Sequence, residues 1–154
     1  MRLISVSRSA LIRSPAPAVY SLIADYRAGH PRILPRAWFG PLEVERGGTG
    51  AGTIIRYEIR LLGTTRRVRA EITEPRPGAE LVETDLATGA RTTFTVAPRG
   101  EGREAEVTIR TEWEGKGLRG WIESLTAPPV LQRIYAEELA QLGAVAASGS
   151  PGNG

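Results

Sequence analysis

Between Leu42 and Trp113 the chain is divided into short segments by links too tight for any crossover, and this restricts it to an antiparallel meander. The segments are Leu42–Arg46, Thr53–Leu61, Thr65–Glu74, Glu80–Leu86, Arg91–Ala97 and Glu104–Trp113. Their separators, GGTGAG, LGT, PRPG, ATG and PRGEG, are dense in turn-forming residues. Parallel neighbours would need connections of a dozen or more residues, so strands joined this closely must run antiparallel side by side. Within the segments apolar residues alternate with charged ones: Ile55, Tyr57, Ile59 and Leu61 on one side, Arg56, Glu58 and Arg60 on the other. Period two of this kind marks a strand with one buried face.

The glycine run from Gly47 to Gly52 invites a phosphate-loop reading, which the following residues exclude. A phosphate cradle needs a helix directly behind it, so that free N–H groups and the positive helix end meet the anion. Here the glycines lead into the alternating strand Thr53–Leu61, the spacing fails G-x-G-x-x-G, and no Lys-Ser/Thr pair follows. The run is expected to be a hairpin turn, where glycine supplies positive φ angles.

Helical signals flank the meander. Ile4–Ile12 reads as a first strand, and Ser14-Pro15 then opens a helix carrying an apolar stripe of Val19, Leu22, Ile23 and Tyr26. The stripe is expected to end at Ala28-Gly29, with one further short turn in His30–Pro35. After a Gly115-Lys116-Gly117 loop, Leu118, Trp121, Ile122 and Leu125 recur at helical spacing. Pro128-Pro129 interrupts them, and Leu131, Tyr135, Leu139, Leu142 and Ala146 resume. A long C-terminal helix, kinked or restarted at the prolines, is predicted. The expected fold is α+β, a seven-stranded antiparallel sheet covered on one face by that helix and two short ones between strands 1 and 2. Residues 1–147 are assigned to a single domain and 148–154 to a flexible tail.

Composition narrows the function classes. The 154 residues suit one domain, and 41% hydrophobic content suffices for a core. The absence of cysteine excludes disulfides and thiolate metal sites and fits a cytoplasmic location. The first residues read as a strand rather than a signal peptide, and no apolar run is long enough to span a membrane. The net charge of +3 is almost all arginine, Lys116 being the one lysine, and those arginines alternate with glutamates along the strands. Such charges suit a solvated sheet face, so nucleic acid is not expected as a partner.

The run Ala10-Leu11-Ile12-Arg13-Ser14-Pro15-Ala16-Pro17-Ala18-Val19-Tyr20-Ser21-Leu22-Ile23-Ala24-Asp25-Tyr26, the Gly-x-Gly-x-Gly-Thr of Gly48–Thr53 and the amphipathic C-terminal helix together resemble the START/birch-pollen-allergen superfamily. The likeness is to its bacterial polyketide cyclase/dehydrase-like branch and covers roughly residues 3 to 147. It implies a helix-grip fold, in which a curved sheet wraps the C-terminal helix and an apolar ligand lies between them. A lipid, polyketide or isoprenoid-like guest is implied. No cofactor and no metal are expected. A polyketide cyclase, aromatase or dehydratase is the alternative. A quinone- or ribosome-associated accessory protein, acting through the arginine face, is a further one. Monomer and dimer both remain open.

Strand phase then names the cavity walls. Tyr57 and Ile59, Val68 and Ala70, Phe94, and Ile109, Thr111 and Trp113 should face inward, with Trp121 and Leu125 closing from the helix. Arg66 shares the inward phase near a strand end, where it could hold a carboxylate or an enolate-like oxygen or simply reach water. The Tyr57 hydroxyl could donate to a ligand or act as a weak acid, or be satisfied within the core. Tyr57 and Arg66 are thus the catalytic candidates. Arg8 shares the inward phase of the first strand. Trp38, Phe39 and Tyr135 could rim the mouth or pack the core. Leu81-Val82 leaves the register of Glu80–Leu86 ambiguous. Because buried charge is costly unless paired, Glu83 and Asp85 are expected to face outward. His30, the sole histidine, is expected to cap a turn and cannot alone build a metal site.

Overall fold

Among the described residues nine glycines hold positive φ, including Gly47, Gly48, Gly50 and Gly52 in the run before Thr53, so that run is a turn between strands. The computed structural model describes residues 3–61, 63–114 and 127–148. In chain order these form β1 (Leu3–Ile12), α1 (Ala16–Ala24), α2 (His30–Ile33) and β2 (Glu43–Arg46), then β3 (Ile54–Leu61), β4 (Thr64–Arg76) and β5 (Glu80–Asp85). β6 (Arg91–Arg99), β7 (Glu104–Glu114) and α3 (Ala127–Ser148) complete the fold.

All seven strands join one antiparallel sheet in the order β1-β7-β6-β5-β4-β3-β2. The meander therefore runs strand to neighbouring strand, and β1 returns to pair with the last strand. α3 packs against β1, α1 and α2. This is the α+β helix-grip arrangement expected from the sequence, with β4 and β6 longer than their alternation suggested. Pro128 and Pro129 fall in the first turn of α3, where the missing N–H groups would have no helical partner anyway. Leu118, Trp121, Ile122, Leu125 and the tail beyond Ser148 lie outside the described residues.

Alternation sorts the two sheet faces. Ile55, Leu61, Ile72, Leu81, Phe94 and Ile109 are among the fully buried core side chains, each contributing about 1.5–3 kcal/mol by leaving water. The other face carries paired charges: Arg56 with Glu43, Arg69 with Glu45, Arg67 with Glu58 and Arg99 with Glu106. Exposed pairs of this kind contribute roughly 0–1 kcal/mol each.

Candidate functional site

The concave side of the sheet does not close fully on α3. A cavity of about 110 Å³ remains, with apolar walls from Ile55, Ile59, Val68, Ala70 and Phe94 on the sheet and Leu131 and Ile134 on the helix. At roughly 10–15 Å³ per water by this kind of measure, it has room for several waters or a small organic group. The same alternation that buries the apolar side chains brings Tyr57, Arg66, Thr92 and Thr111 to its wall.

One end of the cavity is polar, and β5 makes it so. Leu81, Glu83 and Asp85 share the inward phase: Leu81 is fully buried, and the two carboxylates line the cavity. The outward register expected for Glu83 and Asp85 is therefore corrected. The penalty on buried charge is met by partners from distant parts of the chain. The Tyr26 hydroxyl donates to Glu83 Oε2 at 2.6 Å, and His30 Nε2 stands 3.4 Å from the same oxygen. Arg66 Nη1 lies 2.9 Å from Asp85 Oδ2. The other oxygen of Asp85 accepts from the backbone N–H groups of Ala87 and Thr88, which ties the carboxylate to the turn after β5.

His30 is set in place by the α1–α2 corner. Asp25 Oδ1 accepts from the N–H groups of Arg27 and Ala28, and the His30 N–H donates to the Asp25 carbonyl at 2.7 Å. Gly29 is needed because a Cβ there would sit 2.4 Å from the Leu22 carbonyl oxygen. The imidazole is 2% exposed, stacked on Tyr26 at 4.4 Å and edge-on to Phe94. Its Nδ1 faces the Ile23 carbonyl at 2.7 Å. A carbonyl can only accept, so Nδ1 carries a proton and Nε2 is turned toward Glu83 and the cavity. His30 is thus a cavity residue rather than a turn cap.

A third carboxyl enters from the helix. Glu138 is 4% exposed, lines the cavity, and has no hydrogen-bond or ion-pair partner among the described residues. Burial pushes its carboxyl well above the usual range, and the Glu83 charge adds to this. Burial likewise holds the Tyr57 hydroxyl well above its ordinary value, followed by the charges of Glu83, Glu138 and Asp85. Tyr26 is raised by burial and then by Glu83. The Tyr135 hydroxyl is bonded to Thr111, which in turn meets Thr92 at 2.8 Å, so a hydroxyl chain links α3 to β7 and β6. Burial raises Tyr135 although the Thr111 bond opposes it.

Of the residues expected at the site, Tyr57, Ile59, Arg66, Val68, Ala70, Phe94 and Thr111 line the cavity. Ile109 and Trp113 are buried on the same face but pack in the core rather than on the cavity wall. Trp121 and Leu125 lie outside the described residues. Phe39 and Tyr135 reach the wall, whereas Trp38 donates its Nε1–H to Glu137 at 3.1 Å and Arg8 is exposed. Glu138 was absent from the expected set although its position signals it. It stands seven residues after Leu131 and three after Tyr135, on the buried stripe of α3. Among the described residues no cluster of His, Asp or Glu has the geometry to hold a metal ion, and no helix is long and apolar enough to cross a membrane.

Comparison with solved structures finds the same architecture. KanY protein, solved in solution, is 30% identical, with a TM-score of 0.81 over 95% of this chain and 99% of its own. Major latex-like protein 151 from Panax ginseng is 14% identical, with a TM-score of 0.70 over 92% of this chain and 96% of its own. A START superfamily protein from Mycobacterium smegmatis is 16% identical, with a TM-score of 0.63 over 94% of each chain. Comparison with curated proteins finds no match. The family model described as polyketide cyclase/dehydrase and lipid transport matches residues 4–147, nearly the whole chain, and to that family the protein belongs.

Proposed function

We propose that the protein binds a small, largely apolar molecule between the sheet and α3, with a polar end of the ligand held in the acid-rich end of the cavity. The observation that carries this reading is the state of Tyr57 and Glu138. Both line the cavity, and neither side chain has a hydrogen-bond partner among the described residues. Buried polar groups are normally satisfied, so groups left open toward a space point to a guest that satisfies them. Apolar walls would supply most of the affinity.

Hexanol is a suitable neutral probe. Burying a six-carbon chain at about 0.8 kcal/mol per carbon supplies roughly 5 kcal/mol before the cost of association, so the Kd should be about 1 mM or weaker. Titration followed by NMR should shift the resonances of Phe94, Ile134 and Tyr135. Ala90→Trp places an indole at the cavity wall, where Ala90 now stands partly exposed, and should abolish the shifts while circular dichroism is unchanged. Binding of hexanol outside the cavity, or unimpaired in the variant, overturns the reading.

A second reading, turnover of the bound molecule in a cyclase- or dehydratase-like manner, is favoured by His30. Its Nε2 faces the cavity while Nδ1 is held by Ile23. A β-hydroxy ketone could lose its α-proton to that nitrogen and its hydroxyl, protonated by Glu138, as water, leaving an enone. Enone absorbance appearing with the native protein and not with His30→Asn would support turnover. Equal rates in both would remove it.

A further inference from the structure

We propose that the molecule this cavity selects carries a protonated amine, with Glu138 as its principal anchor and Glu83 as its neighbour. This rests on the binding reading above and names the ligand class for it. Three carboxyl groups line the cavity: Glu83, Asp85 and Glu138. The side chains there that can carry positive charge already have carboxylate neighbours. Arg66 is paired with Asp85 at 2.9 Å, and His30 stands against Glu83 at 3.4 Å. The guanidinium expected to receive a carboxylate or enolate is therefore neutralised by Asp85 on the adjacent strand, and an anionic ligand would meet the Glu83 carboxylate. Glu138 is the group without a partner among the described residues, although it is 4% exposed and on the cavity wall.

A buried carboxyl turned into a space and paired with no cation is complementary to a cation brought from outside. The titratable and charged groups that share the cavity wall with it are Glu83 and Asp85 on β5, Arg66 on β4, His30 on α2, Tyr57 on β3 and Tyr135 on its own helix. Among these only Arg66 and the imidazole can be positive, and they are held at Asp85 and Glu83. Burial keeps the empty Glu138 carboxyl protonated over a wider pH range than usual. An ammonium entering there would displace that proton and take its place as the compensating charge. The tyrosine hydroxyls and the apolar wall can accommodate the remaining hydrogen bonds and the chain.

The test compares hexylamine, hexanol and hexanoate, titrated by NMR into the full-length protein at neutral pH and fixed salt. Hydrogen bonds to charged groups are worth roughly 1.5–3 kcal/mol, so hexylamine should bind about 10–100-fold more tightly than hexanol. Glu138→Gln, which keeps the side-chain shape but cannot carry the negative charge, should bring that ratio close to one. Glu137→Gln, one position away and turned to Trp38, should leave the ratio unchanged. If hexanol binds and hexylamine shows no advantage, or keeps its advantage in Glu138→Gln, the amine inference is overturned. Tightest binding of hexanoate overturns it as well and returns the site to Arg66. Failure of hexanol itself to bind overturns the cavity-binding reading instead, so the two failures are distinguishable.

Discussion

Glu138→Gln should make the protein more stable, and by an amount that grows with pH. In the native state this carboxyl is 4% exposed, has no partner among the described residues, and faces the Glu83 charge, so its proton is held well above the usual glutamate value of 4.5. Below 4.5 both folded and unfolded chains carry the proton, and the amide variant should match the native protein. As pH rises past 4.5 the unfolded chain releases its proton while the folded chain keeps it. Native stability then falls relative to the variant by up to about 1.4 kcal/mol per pH unit, the linkage slope for one proton. The gap stops growing once the folded carboxyl also ionises, and above that pH it is constant. For a chain of this length each kcal/mol moves Tm by about 2–4 °C, so the two melting curves should separate by roughly 3–6 °C per pH unit across the window. Urea unfolding followed by circular dichroism at several pH values measures this directly. A pH-independent difference would show that the fold does not hold the Glu138 proton, and a native protein that gains on the variant as pH rises would show that Glu138 is stabilised as a charge; either result would refute the reasoning about its environment.

Two further perturbations test the polar end of the cavity by contrast. Arg66→Ala leaves the Asp85 carboxylate facing the cavity without its 2.9 Å guanidinium, and because the pair is 19% and 10% exposed the loss should be about 2–3 kcal/mol, below the roughly 3–5 of a fully buried pair. Arg67→Ala, one residue along and 90% exposed against Glu58, should cost under about 0.5 kcal/mol in the same denaturation experiment; equal losses would mean that strand phase does not decide the value of these arginines. Tyr26→Phe removes the 2.6 Å donor to Glu83 and should cost about 1–3 kcal/mol of unfolding free energy, and a neutral outcome would mean that Glu83 finds another donor when the hydroxyl is gone.

The wall of the cavity was legible in the sequence and its polar end was not. Ile55, Tyr57, Ile59 and Leu61 alternate without interruption, so one choice of face buries them all. β5 carries Leu81 and Val82 side by side, both buried, so pattern alone cannot give its phase. The choice then rested on the cost of burying Glu83 and Asp85, which is a local argument. Their partners come from elsewhere: Tyr26 is 57 positions from Glu83, and His30 arrives on α2 through a corner built by Asp25 and Gly29. A residue-by-residue cost cannot register compensation that exists only after folding. Glu138 is the opposite case, since its place on the α3 stripe is visible in the spacing and its burial follows from that place alone.

The pairing of β1 with β7 bears on how the chain reaches this fold. Ser9 and Thr108, joined across that pair at 2.7 Å, are 99 positions apart. At a synthesis rate of about 5–20 residues per second, β1 waits roughly 5–20 s before β7, its strand neighbour among the described residues, exists. During that time its backbone donors and acceptors on both edges are open, and Leu3 and Leu11, still exposed in the finished protein, are exposed with them. The sheet is completed by the union of β1, the first of its strands in chain order, with β7, the last, so a nascent chain halted anywhere before β7 holds β1 unpaired.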